Sequence, residues 1–201
     1  MIACVVLAAG ASSRMGSPKA LLEYRGETFL NRLIRVMGAV CDPVIVVLGY
    51  HAEAIRAQVR GRATIIVNPE PERGQLSSLQ TGLAAFLSLV PPAEAEGFAF
   101  IPMDCPAVRE ETVRALAETF RNRDAETLFV IPRLGDKRGH PVLGTRRIAE
   151  ELMALPLETG AARDVVHAHV ARTRYVDVDD AGILTDVDDP AAYRRLLETA
   201  I

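Results

Sequence analysis

Residues 2–19, IACVVLAAGASSRMGSPK, join a continuous apolar run to a loop of small residues. The run from Ile2 to Leu7 is typical of a strand that is covered on both faces, as in a parallel sheet. Small side chains let a ligand approach the loop backbone, whose N–H groups can bind phosphate, and Arg14 and Lys19 add positive charge. The stretch therefore predicts a buried strand and a phosphate-binding loop. It matches neither GxxxxGKS/T nor GxGxxG, so a flexible loop with incidental charges remains the alternative.

The same alternation of short apolar runs and helical patterns continues along the chain, which is typical of βαβ units. The predicted strands cover residues 2–7, 44–48, 64–67, 98–101, 128–131 and 174–178. The predicted helices cover residues 29–40, 52–60, 76–89, 110–121 and 190–197, the last capped by Asp189. We therefore expect an α/β fold with a mostly parallel sheet.

Composition excludes several classes of protein. A chain of 201 residues with 49% hydrophobic and 24% charged residues is expected to form one soluble domain over residues 1–201. Its net charge of −3 argues against nucleic acid as a partner. The apolar start has no basic segment before it and is shorter than the ~20 residues of a membrane span, so neither a signal peptide nor a membrane protein is expected. Three cysteines without a CxxC pair suit the reducing cytoplasm.

Residues 7–22, LAAGASSRMGSPKALL, resemble the signature of nucleotidyltransferases with a Rossmann-like fold. Leu7-Ala8-Ala9-Gly10, Arg14-Met15-Gly16 and Lys19 most resemble the molybdenum cofactor cytidylyltransferases. The resemblance implies a three-layer α/β/α sandwich of the nucleotide-diphospho-sugar transferase type. It also implies transfer of CMP from CTP to molybdenum-loaded molybdopterin, with release of pyrophosphate.

Position 9 bears on the choice of nucleotide. The related guanylyltransferases typically have a second glycine where this chain has Ala9. We expect the additional methyl group to narrow the base pocket and to favour a pyrimidine over a purine.

Residues 74–83, GQLSSLQTGL, resemble the GxxxSLxxGL element of the family, a loop that leads into a helix. The resemblance implies that Gly74, Ser77 and Ser78 lie near the nucleotide. Serine is also a common helix N-cap, and that structural role remains an alternative for both serines.

Two acidic segments are candidates for a metal site. Residues 98–106, FAFIPMDCP, form an apolar run that ends in Asp104, which resembles the DxP aspartate that binds Mg²⁺ in the family; a helix N-cap is the alternative. Residues 185–193, TDVDDPAAY, resemble the family tail DIDTPEDY, which makes Asp188 the second ligand and Asp186 an outer one. Mg²⁺ is the expected ion, with Mn²⁺ as a substitute. Carboxyl ends of parallel strands meet in one crevice, where we expect this site and the first loop.

Charge is also separated along the chain, which supports one magnesium nucleotide as ligand. Residues 14–35 carry a net charge of +3, whereas residues 176–201 carry −5. Arg14, Lys19 and Asp104 are the expected catalytic residues, because a phosphoryl group is transferred by positioning and charge neutralisation.

The acceptor side is expected in the second half of the chain. Residues 133–143, RLGDKRGHPVL, resemble a GHPVL or GNPVL element, which implies that His140 and Pro141 bind the acceptor. Arg163, in a loosely matched GAR-type segment, is a third acceptor-binding candidate. A solvated hairpin, with His140 bonded to backbone, is the alternative. Residues 1–106 are thus expected to bind mainly the nucleotide, and residues 107–201 to supply the acceptor site and the C-terminal metal aspartate.

Three functions remain open at this level. The first is cytidylyl transfer, with a molybdenum hydroxylase of the xanthine dehydrogenase type as candidate recipient of the product. The second is transfer from GTP, or to a sugar, polyol or lactyl phosphate. The third is a non-catalytic carrier or chaperone of the molybdenum cofactor. A complete triphosphate site favours an enzyme over a carrier.

Overall fold

The computed structural model describes residues 1–199, so the last two residues of the expected 1–201 unit lie outside the described residues. The strands are β1 (Ile2–Ala8), β2 (Glu23–Tyr24), β3 (Glu27–Thr28), β4 (Val44–Leu48), β5 (Thr64–Val67), β6 (Gly97–Pro102), β7 (Phe129–Leu134), β8 (Lys137–Arg138), β9 (Val142–Gly144) and β10 (Thr173–Asp177). The helices are α1 (Phe29–Gly38), α2 (Ala52–Arg56), α3 (Gln75–Leu89), α4 (Glu110–Arg121), α5 (Arg146–Met153), α6 (Ala162–Ala168) and α7 (Pro190–Glu198).

One sheet organises the molecule, with strand order β10-β7-β9-β6-β1-β4-β5 and β8 paired to β7. β1 lies between β4 and β6 and is parallel to both. β9 is antiparallel to β6 and to β7. The expected mostly parallel α/β sheet is confirmed, with β8 and β9 as two antiparallel strands that the sequence patterns did not predict.

Helices cover both faces of this sheet because its central strands are apolar on both sides. In β1, Cys4 and Val6 face the layer that contains α1 and α4, whereas Val5 and Leu7 face the layer that contains α3, α5 and α6. All seven β1 residues are buried. A continuous apolar run rather than an alternating one is what such a doubly covered strand requires.

Helix α3 packs unusually close to the sheet, and Gly82 permits it. A Cβ atom at position 82 would lie 2.3 Å from Val5 Cγ1. The small residue thus lets the α3 backbone approach β1, which brings the start of α3 to the same edge of the sheet as the loop after β1.

Two helices are shorter than expected: the predicted helix 29–40 ends at Gly38 as α1, and the second falls shorter still. The predicted helix 52–60 ends at Arg56 as α2. Asn31 of α1 binds the segment beyond it, donating from Nδ2 to the Gln58 carbonyl oxygen (3.0 Å) and accepting from the Arg60 N–H (2.7 Å). These backbone groups bind a side chain of α1, and the chain turns away from the helix axis. Among residues 1–199, no helix is long and apolar enough to cross a membrane.

Candidate active site

A cavity of about 300 Å³ lies at the carboxyl ends of β1 and β6. Its lining comes from the loop after β1, the end of β6 with the residues that follow it, the start of α3 with the residues before it, Ile55 of α2, and Asp188 of the C-terminal segment. The predicted site residues among its lining are Leu7, Ala8, Ala9, Gly10, Arg14, Lys19, Gly74, Ser78, Asp104 and Asp188. Segments far apart in sequence therefore meet where the strand-end argument predicted.

Backbone hydrogen bonds hold these segments together. The Met103 N–H donates to the Leu7 carbonyl oxygen (3.1 Å), and the Val187 N–H donates to the Asp104 carbonyl oxygen (3.1 Å). Val187 is also buried in the core. The tail is thus anchored at the end of β6, and this anchor carries its aspartates to the cavity.

Ser12 shapes the loop after β1. It has a positive φ of 53°, which is uncommon for a residue other than glycine. Its Oγ accepts from the Lys19 N–H (3.0 Å), and its carbonyl oxygen accepts from the Met15 N–H (2.9 Å). The loop therefore folds back on itself, and Lys19 returns to the cavity.

The basic loop and the acidic tail are in direct contact. Lys19 Nζ lies 2.6 Å from Asp188 Oδ1, and Arg14 Nη2 lies 3.2 Å from Asp188 Oδ2. The hydrogen bond from Lys19 is the main cause of the lowered pKa of Asp188. Lys19 is largely covered, with 15% of its side chain exposed, whereas Arg14 is 68% exposed. Lys19 is therefore the fixed cation of the site, and Arg14 lies at its mouth.

Three carboxylates converge beside this ion pair. Asp104, Asp186 and Asp188 each bring an oxygen to within 4.8 Å of the other two. Burial is the main cause of the raised pKa of Asp104; Lys19 opposes the shift, while Asp186 and Asp188 add to it. Hard oxygen donors crowded in this way suit a divalent cation such as Mg²⁺, which would relieve their repulsion. The donor set fits the expected ion.

Asp186 has a more direct place than the sequence indicated. Residues 185–188 form no strand, so Asp186 and Asp188 are not held to one face of a regular element. Both side chains nevertheless reach Asp104, so three carboxylates rather than two are available as ligands. Asp189 caps α7 as expected, accepting at Oδ1 from the Ala192 N–H (2.7 Å).

Asp104 is not a helix cap. Helix α4 begins after Arg109, and the carboxylate at its start is that of Asp180, which is 2% exposed. Asp180 Oδ2 accepts from the Arg109 N–H (2.9 Å) and from Thr112 Oγ1 (2.6 Å). With the capping role filled from elsewhere in the chain, the Asp104 carboxylate is left to the cavity.

The two serines of α3 are not caps either. Gly74 is the N-cap, and Ser77 and Ser78 lie inside the first turns of the helix, both buried. Asn68, which follows β5, donates from Nδ2 to Ser77 Oγ (2.9 Å) and to Ser78 Oγ (3.1 Å). Ser78 lines the cavity and Ser77 does not. Asn68 was missed from the sequence, where its only signal is an Asn-Pro pair after a strand.

The predicted acceptor residues lie outside the lining of this cavity. His140 packs its ring edge-on against Phe100, with ring centroids 5.6 Å apart, and its Nδ1 is buried with no hydrogen-bond partner among the described residues. Pro141 follows it through a cis peptide bond. Arg163 is 82% exposed and lies 3.8 Å from Asp164. A role for all three in acceptor binding stays a prediction.

The burial of His140 predicts a stability that depends on pH. Burial lowers the pKa of His140 to about 4, although the nearby Phe100 backbone opposes this shift. Below the ordinary histidine pKa of about 6.5, this side chain therefore binds more protons in the unfolded chain than in the folded protein. The free energy of unfolding falls as the pH is lowered from 6.5 towards 4, by up to about 3 kcal/mol. Urea unfolding at pH 7 and pH 4.5 measures this loss. We expect the free energy of unfolding to fall less between these pH values in a His140→Gln variant. An equal fall in the variant and the wild type would show that His140 does not cause the pH dependence.

Other reactive groups do not form a second site. His169 Nε2 lies 2.9 Å from Glu151 Oε2 and His167 is exposed, and among the described residues neither histidine belongs to a group that could hold a metal ion. Cys105 is buried, and this burial raises the pKa of its thiol above the usual range. Within residues 1–199, the three aspartates are the only group of three or more side chains found that could hold a metal ion.

Comparison with known proteins agrees with this geometry. The sequence model of one protein family, the MobA-like NTP transferase domain, matches residues 4–173 of this chain. A probable molybdenum cofactor guanylyltransferase of Bacillus cytotoxicus is 28% identical, covering 98% of this chain and 96% of its own. The molybdenum cofactor cytidylyltransferase of Escherichia coli is 27% identical, covering 94% and 92%.

Solved structures show the same fold over nearly the whole chain. The crystal structure of Rv0371c from Mycobacterium tuberculosis has a TM-score of 0.83 at 35% identity, covering 98% of this chain and 97% of that one. A manganese complex of the same protein has a TM-score of 0.79 at 32% identity, with 98% of each chain covered. From the match over residues 4–173 and these similarities, the chain belongs to the MobA-like NTP transferase domain family and is a nucleotidyltransferase.

Proposed function

We propose that this protein transfers CMP from CTP to molybdenum-loaded molybdopterin and releases pyrophosphate. The observation that carries the proposal is the meeting of Lys19 and Arg14 with the carboxylates of Asp104, Asp186 and Asp188 in one cavity. Cations there suit a triphosphate, and carboxylates suit its divalent ion. Relatives named for transfer to the molybdenum cofactor support this acceptor.

In the proposed reaction, an oxygen of the acceptor phosphate attacks the α-phosphorus of the nucleotide. The bond from that phosphorus to the oxygen bridging to the β-phosphate breaks, and pyrophosphate leaves with its electron pair. The acceptor phosphate is already anionic near neutral pH, so no general base is needed. Lys19, Arg14 and backbone N–H groups of the loop after β1 orient and neutralise the triphosphate.

Asp104 and Asp188, with Asp186 beside them, would hold Mg²⁺, or Mn²⁺ in its place. Such an ion neutralises phosphate charge and aids departure of the leaving group. The manganese complex of the mycobacterial relative supports a divalent cation. Lys19 and Arg14 contact Asp188 in this structure. When a nucleotide binds, these two cations would exchange the Asp188 carboxylate for phosphate oxygens.

The choice of CTP rests on Ala9. Ala9 lines the cavity but is only 4% exposed. It lies so close to Gly49 that a Cβ atom added to that glycine would be 2.9 Å from the Cβ atom of Ala9. Its methyl group therefore lies against Gly49 and presents little surface to a ligand. We expect Ala9 to act by setting how closely a base approaches the backbone of the loop.

An Ala9→Gly variant tests this choice. Removing the methyl group is expected to let the loop backbone move towards Gly49, which gives the base more room and raises kcat/KM for GTP by about tenfold relative to CTP, the discrimination that about 1.4 kcal/mol provides. The measurement is pyrophosphate release with each nucleotide at several concentrations. An unchanged GTP-to-CTP ratio would show that Ala9 does not select the base.

Residues 1–106 bind mainly the nucleotide in this proposal, and His140, Pro141 and Arg163 bind the acceptor in the second half. We place the reaction in the cytoplasm, since all three cysteines are free thiols. A molybdenum hydroxylase of the xanthine dehydrogenase type would receive the product.

A panel of nucleotides tests the function. Purified protein is given ATP, GTP, CTP or UTP with Mg²⁺ and molybdenum-loaded molybdopterin, and pyrophosphate release is followed. We expect release with CTP and little with the others. A preference for GTP would make the protein a guanylyltransferase. Release only with a sugar, polyol or lactyl phosphate would change the acceptor, and binding of the dinucleotide cofactor without release would make it a carrier.

A further inference from the structure

Asn68 is buried beside the cavity with its side chain held in one orientation. It is 2% exposed, and its backbone N–H extends the pairing of β5 with β4 by donating to the Leu48 carbonyl oxygen (2.8 Å). Its Oδ1 accepts from the Glu70 N–H (3.0 Å). Because that N–H can only donate, the amide oxygen must face Glu70 and the amide nitrogen must face the two serines of α3.

This orientation sets the polarity of the Ser78 hydroxyl. Ser78 Oγ accepts a hydrogen bond from Asn68, so its proton must point elsewhere. Inside the protein its acceptor is the Gly74 carbonyl oxygen at 3.4 Å, which is long for a bond from a hydroxyl. Ser78 also lines the cavity. Its proton can therefore turn from this weak bond to an acceptor oxygen of a ligand.

We propose that Asn68 is a positioning residue for the nucleotide, because it makes Ser78 a hydrogen-bond donor towards the cavity. Asn68 itself does not line the cavity. The partner of Ser78 is an acceptor oxygen of the nucleoside triphosphate, on phosphate, ribose or base. This inference rests on the proposed function, since it assigns Ser78 a partner on that substrate.

The variant Asn68→Asp reverses this polarity at almost constant volume. The Glu70 N–H keeps its acceptor, but the carboxylate has no donor, so the Ser77 and Ser78 hydroxyls must turn inward to it. Ser78 then offers only lone pairs to the cavity. We expect the Kd of magnesium-bound CTP to rise about tenfold, the loss of one hydrogen bond in a covered site. In turnover assays, KM for the nucleotide rises while kcat at saturation changes by less than about twofold.

A double-variant cycle separates this role from a merely structural one. If Asn68 acts through Ser78, then Asn68→Asp weakens nucleotide binding in the wild-type background and has little further effect in a Ser78→Ala background. A structural role predicts the same loss in both. If the aspartate variant fails to fold, Asn68→Ala gives a second cycle. This variant leaves Ser78 without its fixed partner, and we expect it to weaken nucleotide binding less than Asn68→Asp does.

Asn31→Asp is the matched control. Asn31 makes the same kind of contacts, donating to one backbone carbonyl oxygen and accepting from one backbone N–H, but at the start of α1 and outside the cavity lining. We expect it to bind nucleotide as the wild type does, whatever its effect on Tm. Equal weakening by Asn31→Asp would mean that the loss at Asn68 reports a general effect on the fold.

Titration calorimetry with each of the four magnesium nucleoside triphosphates gives the outcome. The positioning role is supported if the wild type binds a nucleotide, Asn68→Asp weakens that binding, and the weakening disappears in the Ser78→Ala background. Wild-type binding with additive losses, or with no loss in Asn68→Asp, overturns that role and leaves the proposed function intact. If the wild type binds none of the four nucleotides, both the role and the proposed function are wrong.

Discussion

An Asp104→Ala variant is expected to lose pyrophosphate release by at least about 10³-fold. Asp104 is more deeply buried than Asp188, Asp186 is exposed, and Asp104 lies just beyond the end of the central strand β6. In the proposed metal site, removing Asp104 would take away the carboxylate that follows directly on the sheet, and with it charge that would hold a divalent ion against the triphosphate. Initial rates at saturating CTP, Mg²⁺ and acceptor measure the effect.

The stability of Asp104 variants distinguishes lost chemistry from lost fold. Burial and the neighbouring aspartates raise the pKa of Asp104 in the folded protein, so its negative charge opposes folding near neutral pH. We therefore expect Asp104→Asn to be inactive with a Tm equal to or above that of the wild type. Asp42→Ala, at an exposed aspartate just before β4 and so at the opposite edge of the sheet from the cavity, is the control and keeps activity. Near-normal turnover in Asp104→Ala would overturn the metal assignment.

A Lys19→Ala variant is the second large expected loss, about 10²- to 10³-fold in kcat/KM, in the range found when one fixed donor to a developing charge is removed. Lys19 is the covered cation of the site, 2.6 Å from Asp188. Its removal leaves Asp104 and Asp188 without the cation that stabilises their charge and, in the proposed reaction, would leave the triphosphate without its fixed ammonium group. Steady-state kinetics with CTP varied at saturating acceptor measure it.

Lys137 provides a control of the same residue type. It is the only other lysine in the chain, and it lies exposed on β8. Lys137→Ala is expected to keep wild-type kinetics. A Lys19→Ala enzyme within about threefold of the wild type would show that Arg14 and the loop backbone suffice for the phosphates.

Much of the fold was predictable because its signals are local. The apolar run of β1 and the helix over Glu110–Arg121 follow from patterns within a single element. β9 was not predicted, because a strand of three residues shows no periodicity. Its antiparallel position between β6 and β7 depends on contacts between residues distant in sequence. The end of α2 was likewise set by a side chain of α1.

The site shows the same division. The loop with Arg14 and Lys19 and the strand ending in Asp104 could be located from sequence, and strand-end geometry predicted that they meet. The role of Asn68 could not, because it depends on how the end of β5 faces α3. Nor could the capping of α4 by Asp180, which comes from a segment about 70 residues further along the chain.

The most direct measurement of the central claim follows the α-phosphorus itself. Purified protein is incubated with CTP labelled at the α-phosphate, Mg²⁺ and molybdenum-loaded molybdopterin, and the products are separated. We predict that the α-label moves to a pterin product containing cytosine, in amounts equal to the pyrophosphate formed. Pyrophosphate release with the α-label appearing only in free CMP, or no release with any of the four nucleotides, would contradict the claim.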